Sequence, residues 1–122
     1  MLLQILKSKL QGAIVTESQI DYPGSISLSD ELMEASGIKQ FELVHVNNKT
    51  NGNRIVTYAV RNRQRGRITI NGAASRLFQK GDIIHVLAFV YLDDSETTAF
   101  QPTLVITDEE NNVMISKPYR FD

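Results

Sequence analysis

The apolar positions of this chain fall mainly in short, β-branched runs that turn residues separate from one another. The runs cover residues 13–16, 41–46, 55–60, 67–70, 83–92, 103–107 and 113–116. Short strands that recur at this spacing are typical of a small sandwich or barrel. The longest run, 83–92, has a mixed pattern of apolar and polar residues, which favours a barrel with both faces partly covered. The pattern therefore predicts a mainly β domain.

Two short helices are expected between these strands. Ser29 is a suitable N-cap with acidic residues in the turn that follows it, and Gly37 stands where a helix end favours a left-handed residue. A second helix is expected over residues 95–100, capped by Asp94. The chain shows no internal repeat and no linker, so one domain over residues 1–122 is expected.

A hairpin is predicted from residues 41–46 and 55–60, which flank an Asn- and Gly-rich loop. On its second strand, alternation places Arg54, Val56 and Tyr58 on one face and Ile55 and Thr57 on the other. A solvated arginine and a core tyrosine explain this pattern. A binding site explains it too, with Arg54 as a bidentate carboxylate clamp and Tyr58 as a proton donor.

Composition excludes several classes of protein. The chain has 122 residues, 42% hydrophobic and 22% charged, which is ordinary for one globular domain and unlike a disordered chain. Thirteen basic and 14 acidic residues leave a net charge of −1, so nothing indicates a polyanion partner. Cysteine is absent, which removes disulfides and thiolate chemistry. The longest apolar run is shorter than the roughly 20 residues of a membrane span. We therefore expect a soluble, cytoplasmic protein with no membrane or nucleic-acid partner.

Basic and metal-binding candidates are weak. Arginines alternate around Gly66 without interleaved aromatics, which favours a solvated turn over a nucleic-acid surface; they are Arg61, Arg63, Arg65 and Arg67. His45 and His85 lie in strand-like runs, where histidines are more often packed or hydrogen-bonded than metal-bound. No third ligand accompanies them, and no metal is expected.

Two small-residue segments have both a structural and a chemical interpretation. Pro23-Gly24 suits the centre of a type II turn, but Ser25 follows it, and a serine hydroxyl can attack the carbonyl carbon of the preceding peptide bond. Holding the two groups together reaches effective molarities of about 10⁵–10⁸ M. Residues 71–74, Asn-Gly-Ala-Ala, suit a turn into a short helical segment. Their small side chains would also let a ligand approach the backbone N–H groups.

The order of the motifs along the chain is more specific than any single motif. The motifs are the N-terminal MLLQILKSKL with Lys9, Tyr22-Pro23-Gly24-Ser25, Asn51-Gly52-Asn53-Arg54 with Thr57-Tyr58, Arg65-Gly66, residues 71–74 and Gly81-Asp82-Ile83-Ile84. In this order, the sequence resembles the pyruvoyl-dependent aspartate 1-decarboxylase family over residues 1–107.

The resemblance implies a double-psi β-barrel in a homotetramer with active sites between subunits. It implies a proenzyme that cleaves itself between Gly24 and Ser25, giving fragments 1–24 (β chain) and 25–122 (α chain). Ser25 would become a pyruvoyl group, the only expected cofactor, and a maturation factor is a candidate partner. The substrate would be L-aspartate, decarboxylated at its α-carboxylate to β-alanine for pantothenate and coenzyme A synthesis. A pyruvoyl ketone forms a Schiff base with the substrate amine and supplies the electron sink that side chains lack. The alternative is a non-catalytic β-barrel used for binding or assembly.

Site roles follow from the same resemblance. Thr57 would contact the Gly24 carbonyl during cleavage and also bind substrate, and Tyr58 would reprotonate the substrate carbon. Carboxylate binding would come from Lys9 and Arg54, and the pocket would be lined by Asn71, Gly72, Ala73 and Ala74.

The sequence departs from the family at two positions. Gln11 stands where the family usually has histidine, so any titrating role there is lost. Pro23 precedes the cleavage position where other residues are common, and Tyr22 is a further candidate beside it.

Overall fold

Nine β-strands in one sheet dominate the computed structural model, which describes residues 1–21 and 23–121. The strands are β1 (Leu2–Ile14), β2 (Glu17–Gln19), β3 (Ser25–Ser29), β4 (Leu43–Asn48), β5 (Arg54–Asn62), β6 (Thr69–Asn71), β7 (Ile83–Asp93), β8 (Thr103–Thr107) and β9 (Val113–Pro118). Their order is β2-β6-β3-β5-β4-β7-β1-β8-β9. The predicted mainly β fold with short helices is confirmed, and the sheet is barrel-like.

Strand β1 is much longer than the sequence pattern predicts. It pairs with β7 antiparallel along its whole length and with β8 in parallel. Its register shifts between Leu6 and Ser8 and again between Gln11 and Ala13. Each shift moves the side chains that follow by one position, so the two-residue alternation expected of a strand is broken. The pattern therefore revealed only the end of β1.

The core lies on one side of the central strands. Alternate residues of β4 and β7 are fully buried, as are residues of β1 and β3. Large side chains among them are Leu10, Ile26, Leu28, Val44, Val46, Ile84 and Val86. The intervening residues point the other way. We call this second surface the outer face, and it carries Lys9, Gln11, His85, Leu87, His45, Asn47, Arg54, Val56 and Tyr58.

Helix α1 (Asp30–Ser36) forms where the sequence predicts it. The Ser29 hydroxyl accepts a hydrogen bond from the backbone N–H of Leu32 at 3.3 Å, and Gly37 ends the helix at φ 71°. The second predicted helix is wrong, because only a 3₁₀ turn, Asp94–Glu96, is present. There Asp93 rather than Asp94 is the cap, and its reciprocal bonds with Glu96 satisfy the turn without further helix. Within the described ranges no helix could span a membrane.

Ion pairs neutralise the arginine-rich turn. Arg61 pairs with Asp30 at 2.7 Å, and Arg65 pairs with Glu31 at 3.1 Å. Arg67 pairs with Glu17. Carboxylates from α1 and β2 therefore form ion pairs with these three guanidinium groups. This pairing supports a solvated turn and not a phosphate-binding surface.

Candidate active site

Ser25 is buried at the start of β3, between β5 and β6. It is only 5% exposed and pairs with Asn71 across the antiparallel β3–β6 ladder. The Asn71 side-chain amide Nδ2 donates a hydrogen bond to Ser25 Oγ at 3.0 Å. The other amide atom, Asn71 Oδ1, is buried without a hydrogen-bond partner. The hydrogen bond thus fixes the position of the serine oxygen. The buried Asn71 Oδ1 stays unpaired, which costs folding free energy unless a further group bonds to it.

Strand β5 brings two more predicted residues to the other side of Ser25. In the parallel β3–β5 ladder Ile26 is level with Ala59, so Ser25 is level with Tyr58. Continued one residue further, the same register would place Gly24, which precedes β3, beside Thr57. Neighbouring strands lie about 4.8 Å apart. Thr57 and Tyr58 also line an open hollow together with Phe41, Leu43 and Val56.

The segment after Asn71 is confirmed as a turn into a short helical stretch. A 3₁₀ helix (Gly72–Leu77) begins directly after β6, with Gly72 buried at φ 76°. Ala74 packs against the core, whereas Ala73 is exposed. Residues 71–74 therefore stay close to the Ser25 end of β3.

The predicted type II turn at Pro23-Gly24 is wrong, because the backbone conformation of Gly24 does not fit it. Gly24 has a φ outside the left-handed region that such a turn requires of it. The reason is that Ser25 already pairs with Asn71, so Gly24 leads directly into the sheet. Tyr22, a candidate from the sequence, lies outside the described residues.

Lys9 and Arg54 lie apart from Ser25. Arg54 is four residues before Tyr58 on β5, roughly 13 Å along the strand. Its guanidinium Nη2 lies 3.1 Å from Nδ1 of His45 on β4, the neighbour of β5 on the side away from β3. Lys9 is four strands from β3 in the sheet order. Its ammonium lies 5.7 Å from the ring centre of Tyr119. Within one chain these cations do not meet the serine.

Gln11 lies beside an imidazole on the neighbouring strand. It is the cross-strand partner of His85, whose Nδ1 accepts a hydrogen bond from the Gly12 N–H at 3.3 Å. Burial lowers the pKa of His85, and the positive charges of Lys9 and Lys49 lower it further. The imidazole is therefore held in its neutral form.

The central outer face is cationic and polar. Strands β1, β4, β5 and β7 contain one carboxylate, Asp93, at the far end of β7. Asp93 is occupied by the N-terminal ammonium of Met1 and by Ser95. Across residues 1–21 and 23–121, no three His, Asp or Glu side chains converge as metal ligands. This face is suited to bind a carboxylate.

One contact was not predicted from the sequence. His45 was expected to be packed or hydrogen-bonded, which is correct, but its partner is the predicted carboxylate clamp Arg54. The predicted hairpin contains the signal, because pairing its two strands across the 47–53 loop brings His45 close to the start of β5.

Comparisons with known proteins identify the family of the chain. A family model described as "Aspartate decarboxylase" matches residues 1–114. The chain belongs to the aspartate decarboxylase family.

Its relatives include proteins named "Aspartate 1-decarboxylase". That of Stenotrophomonas maltophilia strain K279a is 43% identical over 112 residues, which are 91% of this chain and 89% of the relative. That of Xanthomonas campestris pv. campestris is 44% identical over 112 residues, with the same coverage. The Campylobacter jejuni protein is 41% identical over 107 residues, 88% of this chain and 85% of the relative.

Proposed function

We propose that this chain is a self-cleaving proenzyme that decarboxylates L-aspartate at its α-carboxylate, giving β-alanine and CO₂. Family membership supports the reaction. The observation that carries the proposal is the buried Ser25 Oγ, held 3.0 Å from Asn71 Nδ2 and level with Tyr58 on the next strand. A hydroxyl buried at a strand end with one fixed donor is prepared for a single geometry of attack.

The cleavage converts one peptide bond into two chain ends. Ser25 Oγ attacks the Gly24 carbonyl carbon, the C–N bond breaks, and an ester links the two residues while the nitrogen takes up the proton. Loss of the Ser25 α-proton then expels the Gly24 carboxylate by β-elimination. Water hydrolyses the remaining dehydroalanine to a pyruvoyl group and ammonia. The single domain is thereby cut into residues 1–24 and 25–122.

Neighbouring side chains assist this step. The Asn71 amide orients Ser25 Oγ, and Thr57, which the continued register would place beside Gly24, supplies a hydroxyl to the carbonyl oxygen as negative charge develops on it. One such donor is worth about 3–4 kcal/mol. Thr57 and the segment of residues 71–74 also line the place where substrate binds.

The residues around Ser25 fit a pyruvoyl group. That group is close in size to a serine side chain, and the Asn71 amide Nδ2 that donates to Ser25 Oγ is a suitable donor for a carbonyl oxygen. A pyruvoyl ketone at this position would supply the electron sink that decarboxylation of the substrate requires. Tyr58, at the same level, delivers the proton to the substrate carbon.

The carboxylate-binding residues come from a neighbouring copy in a homotetramer. Lys9 and Arg54 share the outer face, and their contacts are with Tyr119 and His45 of their own chain and not with Ser25. Large apolar side chains are exposed on or beside that face, with Leu43 55%, Val56 56% and Tyr91 68% accessible. A second copy would cover them and bring Lys9 and Arg54 to its own Ser25. Such an enzyme acts in the cytoplasm and supplies β-alanine to pantothenate and coenzyme A synthesis; a maturation factor is a candidate partner for cleavage.

Intact-mass measurement during warm incubation tests the proposal. The wild-type chain should split into the two predicted fragments as aspartate-dependent CO₂ release appears. Ser25→Ala should remain whole and inactive, whereas Ser27→Ala, a buried serine on the same strand, should still split. A whole wild-type chain that decarboxylates aspartate would overturn the scheme. A whole chain with no CO₂ release would support the non-catalytic barrel instead.

A further inference from the structure

The imidazole of His45 is fixed between two strands and contacts Arg54. His45 is half-buried on β4, and its Nδ1 lies 3.1 Å from Arg54 Nη2 on β5. Its ring packs edge-on against Phe89 of β7, with centroids 5.0 Å apart and an interplanar angle of 70°. The ring is therefore held from one side while its nitrogen meets the guanidinium on the other.

This contact requires one form of the imidazole. Arginine has only donors and stays charged at any working pH, so Nδ1 has to be the acceptor. His45 is then neutral, with its proton on Nε2. Protonation of Nδ1 removes the acceptor and places two cations in contact, which drives the guanidinium away.

On this face, no carboxylate competes with His45 for the Arg54 guanidinium. The titratable or charged groups on the same face are Arg54 and Tyr58 from β5, His85 and Tyr91 from β7 and Lys9 from β1. None of them is a carboxylate. Across the ladders, Lys9 is level with Leu87, Leu87 with His45 and His45 with Val56. His45 therefore lies between the two proposed carboxylate-binding cations.

We propose that neutral His45 positions the Arg54 guanidinium for a substrate carboxylate and releases it on protonation, so that substrate affinity falls at acidic pH. His45 acts through Arg54 and is a positioning residue. The inference rests on the proposed function, because it names the regulation of that same binding site.

Steady-state kinetics with aspartate between about pH 5.5 and 8 test the inference. For His45→Ala we expect KM to rise about three- to tenfold at neutral pH, with a smaller change in kcat. His45→Asn places a non-titrating oxygen close to the position of Nδ1. It should keep a KM near the wild-type value and lose the rise in KM that the wild type shows in acid.

The second histidine provides the matched control. His85 bonds to the Gly12 N–H and not to Arg54, so His85→Asn should keep the acid rise in KM. If His45→Asn retains the wild-type pH profile of KM while aspartate is turned over, the inference is overturned and the proposed function stands.

A measurement that needs no turnover separates the two proposals. Long-range ¹⁵N–¹H NMR of His45 reports which ring nitrogen carries the proton. We expect the Nε2–H tautomer in the wild type and a mixture of tautomers in Arg54→Ala. The same tautomer population in both proteins would refute the contact even if no aspartate is decarboxylated, whereas failure of the proposed function would show only as absent turnover.

Discussion

The hydrogen bond between Asn71 and Ser25 is the contact on which the proposed cleavage most depends. Ser25 Oγ is buried, and the Asn71 amide is its hydrogen-bond donor. Because the amide donates to the serine oxygen, the hydroxyl proton is not used in this bond and can leave. The same bond fixes the orientation of the oxygen. The asparagine was expected only to line the pocket, and the structure gives it a specific partner.

Removing that amide should slow the self-cleavage. For Asn71→Ala we expect a rate about ten- to a hundredfold lower, because the attacking oxygen loses its orientation and a buried partner. The rate is read from the decay of the whole chain by intact mass. Asn51→Ala is the matched control, since Asn51 is exposed and its side chain bonds outside the site, donating to the Leu77 carbonyl and accepting from the Asn53 N–H. Equal rates for the two variants would contradict the assigned role.

His85 should make folding stability depend on pH. Its pKa is lowered by burial first and by Lys9 and Lys49 second, so the unfolded chain binds the proton more readily than the folded chain. Stability should therefore fall as pH drops below about 6.5 and stop falling beneath the folded-state pKa. His85→Gln should lose less stability between about pH 7.5 and 5 than the wild type. Urea unfolding at each pH measures this, and parallel curves would disprove it.

Residue types were predictable from the sequence, whereas their partners were not. Ser25, Arg54 and Tyr58 could be selected because hydroxyl, guanidinium and phenol have limited chemical roles. The bond from His45 to Arg54 depends on the register between β4 and β5, which the loop composition left undetermined. Local chemistry therefore predicts candidates, and strand register decides which of them meet.

At the scale of elements, the errors occurred where regular alternation fails. β1 was recognised only at its end, because two register shifts interrupt its pattern. Phe41 was expected to begin a strand, but it has φ 68° and β4 begins at Leu43. Irregular backbone of this kind is set by pairing with distant strands, which a local pattern does not contain.

Helix α1 was predictable because its signals are local, and they can be tested directly. Gly37 ends it at φ 71°, where its N–H reaches the Glu34 carbonyl. Gly37→Ala should cost about 1 kcal/mol of folding stability, and Ser29→Ala a similar amount through the lost cap. Urea unfolding provides the measurement. Glu34→Ala, an exposed change inside the same helix, should stay within about 0.5 kcal/mol of wild type. A loss at Glu34 equal to that at Gly37 would refute the capping argument.

At the scale of the molecule, the two halves of the proposed site lie on different parts of one chain. Ser25 pairs with Asn71 at the start of β3, and the proposal adds Thr57 and Tyr58 from the adjacent strand β5. Lys9 and Arg54 lie on the outer face, with the guanidinium turned toward β4. Arg54 lies roughly 13 Å along β5 from Tyr58, whereas an aspartate is only a few ångströms long. No sequence pattern could show this separation, because it arises from the order of strands across the sheet.

Mixed assemblies should therefore recover an activity that neither variant has alone. Ser25→Ala lacks the reactive group, and Arg54→Ala should still cleave itself but lose carboxylate binding. Co-expressed at equal levels, they should restore about a quarter of the wild-type sites, since each site takes its two halves from different copies. Differently tagged chains and CO₂ release measure this. Ser25→Ala mixed with Tyr58→Phe should recover nothing, because those residues lie level on adjacent strands of the same chain. No recovery in the first mixture would mean that each site is built within one subunit. Recovery in the second would mean that Ser25 and Tyr58 of one site come from different copies.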